Sequence, residues 1–173
     1  MSASMKAILH QILHYLVLFL SVYTLVHNVH CITEDITDYL LCRKCGHEIA
    51  RGTDLTSMPS KLAHRQRNDT ISGVKDVLIQ LFQNPHGLYF EVVTTQEADV
   101  QPTGEYSNIQ TWFLDYMWQL VACPRCGTHL GWLYSYVGLE SQKPKSFIGL
   151  ILQNLLEDIE SQTIIHIPKT YGS

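Results

Sequence analysis

The sequence predicts a mainly β domain in which one four-cysteine metal site joins distant parts of the chain. Three observations support this prediction. Two Cys-x-x-Cys-Gly motifs begin at Cys42 and Cys123, far apart in the chain. Runs of aromatic and β-branched residues bounded by turn residues, typical of strands, lie between and after these motifs. Hydrophobic residues make up 46% of the chain and charged residues 16%, a balance that favours a packed core over disorder.

The first 31 residues are interpreted as a secretory signal peptide that precedes a single domain at 32–173. They contain no acidic residue and one cation, Lys6, and residues 15–26 form an uncharged, mostly apolar run. Val29 and Cys31 stand where the small residues of a cleavage site would be. We therefore expect a secreted, extracellular or ER-lumenal protein that meets the membrane only through this segment. An uncleaved anchor is the alternative, but it would need about 20 apolar residues.

Charge argues against nucleic acid as a partner, because the formal net charge is -4 and the basic residues are scattered. The polar stretch from Arg51 to Thr70 is interpreted as an exposed loop. It contains the sequon Asn68-Asp69-Thr70, which makes Asn68 a candidate glycosylation site if the chain is exported.

The two motifs, Cys42-Arg43-Lys44-Cys45-Gly46 and Cys123-Pro124-Arg125-Cys126-Gly127, have the pattern of zinc knuckles. The glycine after each pair permits the positive φ that such a turn requires. Four thiolates form a closed tetrahedral site with no open position for water or substrate, so one structural Zn²⁺ is predicted. Two disulfides are the alternative, because an exported chain enters an oxidising compartment. The fifth cysteine, Cys31, falls in the predicted signal peptide.

The remaining pattern is mostly that of strands. Residues 74–83 belong to the β-rich region, and Asn84-Pro85-His86-Gly87 is a turn. Strands are predicted at 88–95, 117–122 and 129–137, whereas 101–108 is predicted to be a turn and 111–116 an aromatic loop. A strand near 147–152 is favoured over a helix, although 155–159 continues at helical spacing. A final short strand is predicted at Ile164–Ile167.

All three tryptophans flank the second knuckle: Trp112, Trp118 and Trp132. Tyr134 follows Trp132 by two residues, so both side chains lie on the same face of one strand. Each indole taken alone is more often a core residue, but three that converge can form an aromatic cage. Such a cage accepts a flat neutral ring or a quaternary ammonium, and spacing does not choose between them.

These residues together resemble a known family. The Asn-Pro-His-Gly turn, Trp112-Phe113, Trp118 before Cys123, and His129-Leu130-Gly131-Trp132 are similar in order to the CULT domain, the thalidomide-binding domain of cereblon. The later Phe147-Ile148-Gly149-Leu150 is similar as well, so the resemblance covers about 37–167. It departs at Gln110-Thr111, where that family often has His-Ser, and at Leu88, where an aromatic residue is common.

The resemblance implies a β-tent, two antiparallel sheets pinned by one zinc, in a secreted, stand-alone protein. Trp112, Trp118 and Trp132 would be the cage walls and Tyr134 the fourth aromatic. Backbone groups near Gln110 and Trp112 would hydrogen-bond a glutarimide, with Asn84 at the lip. The implied ligand is a cyclic imide or a related flat ring, such as a modified C-terminal residue or a pyrimidine nucleoside. Ubiquitin-ligase partners are not implied.

Two other functions are alternatives to this ligand-binding module, a protein-interaction scaffold and an enzyme. A β-tent can serve as a protein-interaction scaffold whose tryptophans are partly core. An enzyme is not expected, because B-type methionine sulfoxide reductases, which share the tent, need a reactive cysteine. With four cysteines on zinc, only Cys31 would remain for that role. No Ser-His-Asp arrangement or carboxylate pair stands out either.

Overall fold

The computed structural model describes residues 10–20, 38–139 and 143–158 of the chain. The chain divides into two units, residues 1–36 and residues 37–173. In the first unit, residues 10–20 form a helix with exposed side chains. None of the helices within these described ranges is long and apolar enough to cross a membrane. The rest of the predicted signal peptide, including Cys31, and the strand predicted at Ile164–Ile167 lie outside the described residues.

The second unit is built from strands, with two single-turn 3-10 helices at Gly52–Asp54 and Leu152–Asn154. In chain order the strands are β1 (Tyr39–Cys42), β2 (Glu48–Arg51), β3 (Leu55–Thr56), β4 (Arg65–Ile71), β5 (Val74–Gln83), β6 (Tyr89–Thr95), β7 (Gln101–Ser107), β8 (Tyr116–Ala122), β9 (His129–Tyr136), β10 (Ser146–Ile151) and β11 (Leu155–Glu157).

The strands form two antiparallel sheets, which confirms the predicted fold class. The smaller sheet has the order β11-β1-β2. The larger has the order β4-β5-β6-β10-β9-β8-β7, and β3 pairs with β6 at its margin. β8 and β9 run side by side on either side of the second cysteine turn, so Trp118 lies opposite Tyr134.

Two hydrophobic clusters fill the unit. The first is aliphatic and draws on both sheets: Leu40 and Leu155 from the smaller, Val93 and Leu130 from the larger, each at most 2% exposed. The second is aromatic and lies on the larger sheet, with members including Phe82, Phe113, Tyr116, Trp132, Tyr134 and Phe147. The aromatic cluster is therefore separate from the aliphatic cluster to which both sheets contribute.

Two local predictions were wrong. Residues 101–107 form the edge strand β7, although they contain Pro102 and Gly104, because an edge strand can include a proline that donates no ladder bond. The predicted loop at 51–70 ends in strand β4, which pairs with β5. The strand favoured near 147–152 is confirmed as β10. The helical spacing noted at 155–159 gives no helix over 155–157, where β11 pairs with β1.

Gly131, next to Trp132 on β9, permits close contact with β10. Its φ is +151°, and a Cβ added there would lie 1.9 Å from the Gly149 carbonyl oxygen. We expect Gly131→Ala to lower the free energy of unfolding by about 4 kcal/mol, since both backbones would have to move. Gly104→Ala is the matched control: its φ is +71° but the space is open, so about 1–2 kcal/mol is expected. Equal losses in urea unfolding would contradict the role of this contact.

Candidate functional site

Both cysteine turns have the knuckle geometry that the sequence predicted. The N–H of Gly46 donates to the Cys42 carbonyl at 2.8 Å, and the N–H of Gly127 donates to the Cys123 carbonyl at 2.9 Å. The two glycines have φ of +69° and +70°, in the region that glycine adopts at no steric cost. Each turn therefore points two sulfurs toward the same place.

The four sulfurs meet in one cluster that could hold one zinc ion. All four lie within 4.8 Å of one another, and the Cys42–Cys126 and Cys45–Cys123 sulfur pairs are each 3.6 Å apart. Tetrahedral Zn–S bonds of about 2.3 Å require sulfurs nearly 4 Å apart, so the donor set fits. The cysteines are free, which excludes the disulfide alternative for this structure, since a disulfide has sulfurs about 2.05 Å apart.

The thiols differ in acidity because their surroundings differ. Burial raises the pKa of Cys42 above its ordinary value and raises that of Cys45 to about 12. Hydrogen bonds from the Thr128 hydroxyl and backbone N–H lower the pKa of Cys126 to about 6. A divalent cation would favour the thiolate form of all four, because metal ligation requires deprotonated cysteine.

A second site is an aromatic pocket of about 450 Å³ on the larger sheet. The six residues predicted from sequence for ligand binding all line it: Asn84, Gln110, Trp112, Trp118, Trp132 and Tyr134. Four further lining residues were missed: Pro85, His86, Ile109 and Leu120. Leu120 could have been found, because it follows Trp118 by two residues on β8 and so shares its face.

Trp112 is the most firmly held of the lining side chains. Its ring stacks on Phe82, with centroids 4.7 Å apart and planes 6° apart, and its indole N–H donates to the Gln83 carbonyl at 3.3 Å. Two further rings contact it, Trp132 at 4.7 Å and 68° and Phe90 at 6.0 Å and 44°. Strand β5 therefore positions this side chain, although Trp112 itself lies in the segment before β8.

Trp132 and Tyr134 form the floor, and Trp118 lies toward the surface. Trp132 is 9% exposed and meets Phe90 edge-on at 5.5 Å. Tyr134 is 1% exposed and stacks on Phe147, and burial raises the pKa of its phenol well above the ordinary value, so it stays neutral. Trp118 is only partly buried, and its indole N–H donates to the Ile109 carbonyl at 2.9 Å.

His129 supports the floor from outside the pocket lining. Its ring meets Trp132 edge-on, with centroids 5.0 Å apart and planes at 90°. Burial lowers the pKa of His129, so the ring is neutral near pH 7. Its Nε2 lies 2.9 Å from the Gly131 carbonyl, which means that Nε2 carries the proton and donates.

The lip is a hairpin turn held by Asn84. Its side-chain oxygen accepts hydrogen bonds from the N–H groups of His86 and Leu88, at 3.0 and 2.9 Å. On the opposite side, Gln110 has a φ of +53° and is exposed. Within the described ranges, neither the Gln110 carbonyl nor the Trp112 N–H makes a hydrogen bond.

The sequon lies apart from both sites. Asn68 is exposed at the middle of β4, the outer strand of the larger sheet, where it pairs with Leu78. Its position is therefore a strand edge and not the predicted loop, and its exposure leaves the side-chain amide open to modification.

No protein-family profile matches the chain. The curated proteins that are similar to it are named Protein cereblon. The chain is 29% identical to that of Danio rerio over 141 residues, which cover 75% of this chain and 32% of that protein. It is 29% identical to that of Gallus gallus (61% and 26%) and 28% identical to that of Drosophila melanogaster (63% and 16%). The chain thus spans less than a third of the length of these relatives.

Proposed function

We propose that this chain, which carries a cereblon-like CULT domain, binds a flat, uncharged cyclic imide in its aromatic pocket. The observation that carries the proposal is the lining itself. Three indoles and a buried phenol surround a cavity of about 450 Å³, and among the residues that the structure describes no Asp, Glu, Lys or Arg contributes to its lining. A site of this size with aromatic walls and few polar groups suits a small ring.

The lack of acidic side chains in the lining favours a neutral ring over a quaternary ammonium. A cation would gain from the indole faces, but it would lose hydration without a carboxylate to offset that cost. A glutarimide instead presents one N–H between two carbonyls. The Gln110 carbonyl could accept that N–H and the Trp112 N–H could donate to one carbonyl, so the groups left free in the pocket are complementary to an imide.

We also propose that the cysteine cluster binds one zinc ion in a purely structural role. Its four sulfurs provide a complete tetrahedral ligand set, which excludes water and substrate from the metal. Secretion is proposed on separate grounds, the predicted signal peptide over residues 1–31 and the exposed sequon at Asn68. Binding, and not catalysis, is the proposed activity.

The test is a titration of the purified protein with glutarimide, monitored by tryptophan fluorescence. N-methylglutarimide is the matched control, since it has the same ring without the N–H donor. We expect glutarimide to quench the fluorescence with saturation, and N-methylglutarimide to bind at least about tenfold more weakly.

Other outcomes would contradict the proposal in defined ways. A response only to a trimethylammonium compound would move the ligand class to cations. If a folded, zinc-loaded protein responded to neither compound, the protein-interaction scaffold would become the better interpretation. The exposed side chains of Ile109, which lines the pocket, and of Leu88, which follows the turn at its lip, would then be the first candidates for a partner contact.

A further inference from the structure

The segment between β3 and β4, residues 57–64, crosses the aromatic cluster. We call it the strap. Met58 and Ala63 of the strap pack against that cluster, and the strap contributes no residue to the lining of the ligand pocket. One hydrogen bond from the strap nevertheless reaches the backbone of Trp112, which forms one wall of the pocket.

One buried glutamine fastens the strap to the larger sheet. Gln80 on β5 has no exposed surface. Its side-chain oxygen accepts the Ser60 N–H at 2.7 Å, and its side-chain nitrogen donates to the Met58 carbonyl at 2.8 Å. The same oxygen accepts a bond from the Gln66 side chain on β4 at 3.0 Å. An unpaired buried amide is costly, and here both the oxygen and the nitrogen of the Gln80 side chain have hydrogen-bond partners, which makes this anchor specific.

The strap in turn fastens the backbone of Trp112. The Ser60 hydroxyl donates to the Trp112 carbonyl at 2.5 Å and accepts the Leu62 N–H at 3.0 Å. Ser60 is 6% exposed, so water does not readily replace this bond. The Trp112 side chain is already held by strand β5, through Phe82 and the Gln83 carbonyl. The residue is thus held at both its main chain and its ring.

We infer that Ser60, oriented by Gln80, is a positioning residue for ligand binding. The bond holds the Trp112 carbonyl, which belongs to the peptide unit that follows the Trp112 Cα, whereas the Trp112 N–H belongs to the unit before it. Because the two units meet at this Cα, fixing one restricts the orientation of the other, and that N–H is the group proposed to meet the imide. The inference rests on the proposed imide-binding function, which it deepens by adding two residues that no ligand would touch.

The test compares Ser60→Ala with a matched control, Thr95→Val. Both remove one buried hydroxyl that donates to a backbone carbonyl, but Thr95 bonds to Asp54 and Glu97 and not to the strap or the pocket. We expect Ser60→Ala to weaken glutarimide binding about five- to tenfold, the effect of one hydrogen bond. Thr95→Val should leave the affinity unchanged. Gln80→Leu should weaken binding in the same direction, with zinc content retained.

A readout without ligand separates this inference from the proposed function. The Trp112 indole N–H, identified in NMR spectra by its loss in Trp112→Phe, should exchange with solvent faster in Ser60→Ala than in Thr95→Val. If wild-type protein fails to bind glutarimide but this exchange rises, the proposed function fails and the positioning role stands. Equal exchange and equal affinity in the two variants would overturn the positioning role.

Discussion

Cys123→Ser is expected to abolish stable folding of the β domain. The substitution removes one of the four sulfurs of the cluster, and Cys123 is one of the two cysteines that are buried there. The proposed zinc would connect the β1–β2 turn with the β8–β9 turn, which are distant in the chain. Structural zinc sites contribute about 10–16 kcal/mol of apparent binding free energy, more than the whole net stability of a typical domain.

The measurement is zinc content by elemental analysis, together with thermal unfolding with and without a chelator. Wild-type protein should contain one zinc per chain and unfold when the metal is removed, whereas Cys123→Ser should contain none and lack a cooperative transition. In the uncleaved full-length chain, Cys31→Ser is the control, since Cys31 is predicted to lie in the signal peptide and outside the metal site. A chelated wild-type protein that melts cooperatively at an unchanged temperature would rule out the structural role.

Trp118→Ala is expected to abolish most imide binding and leave the fold intact. Trp118 is only partly buried, unlike Trp132, and it has no ring contact with another aromatic side chain among the described residues. Its removal should weaken glutarimide binding at least about tenfold, because one aromatic wall is lost. The loss of unfolding free energy should stay below the 3–5 kcal/mol typical of a core tryptophan.

Trp118 is a better position than Trp132 for testing the pocket, because Trp132 is buried and its replacement would change both binding and stability. Trp132→Ala would remove a core indole, so lost binding could reflect lost folding. Binding should be measured by calorimetry beside the melting temperature and zinc content. Tyr106→Ala is the control, an exposed aromatic on neighbouring β7 that does not line the pocket. Unchanged affinity in Trp118→Ala would contradict the proposed wall.

Most of the candidate site was predictable because its members follow local rules. The knuckle turns depend only on cysteine spacing and a following glycine. Period-two alternation puts Trp132 and Tyr134 on one face of β9. Clustering around the second knuckle added Trp112 and Trp118, and the resemblance to the CULT domain then added Asn84 and Gln110. Burial was less predictable, since spacing alone does not show that Trp132 is nearly enclosed while Trp118 is partly open.

The wrong predictions fall where partners outweigh local signals. Pro102 and Gly104 indicated a turn, but pairing with β8 turns this segment into an edge strand. The polar composition of β4 indicated a loop, because its residues up to Thr70 are exposed and lack an apolar alternation. Pairing with the long strand β5 supplies the backbone hydrogen bonds that hold β4 in the sheet, although the side-chain pattern of β4 does not indicate a strand.

Cysteine spacing, strand patterning and the ordered aromatic motifs were sufficient to predict a mainly β domain with a four-thiol site and six of the residues that line its pocket. Tertiary contacts alone decided how Trp112 is held. Gln80 and Ser60 look like ordinary polar residues of a strand and a loop, and no periodicity marks them. Their role arises because folding buries an amide and a hydroxyl beside the Trp112 backbone, where unpaired polar groups are costly and each must find a partner.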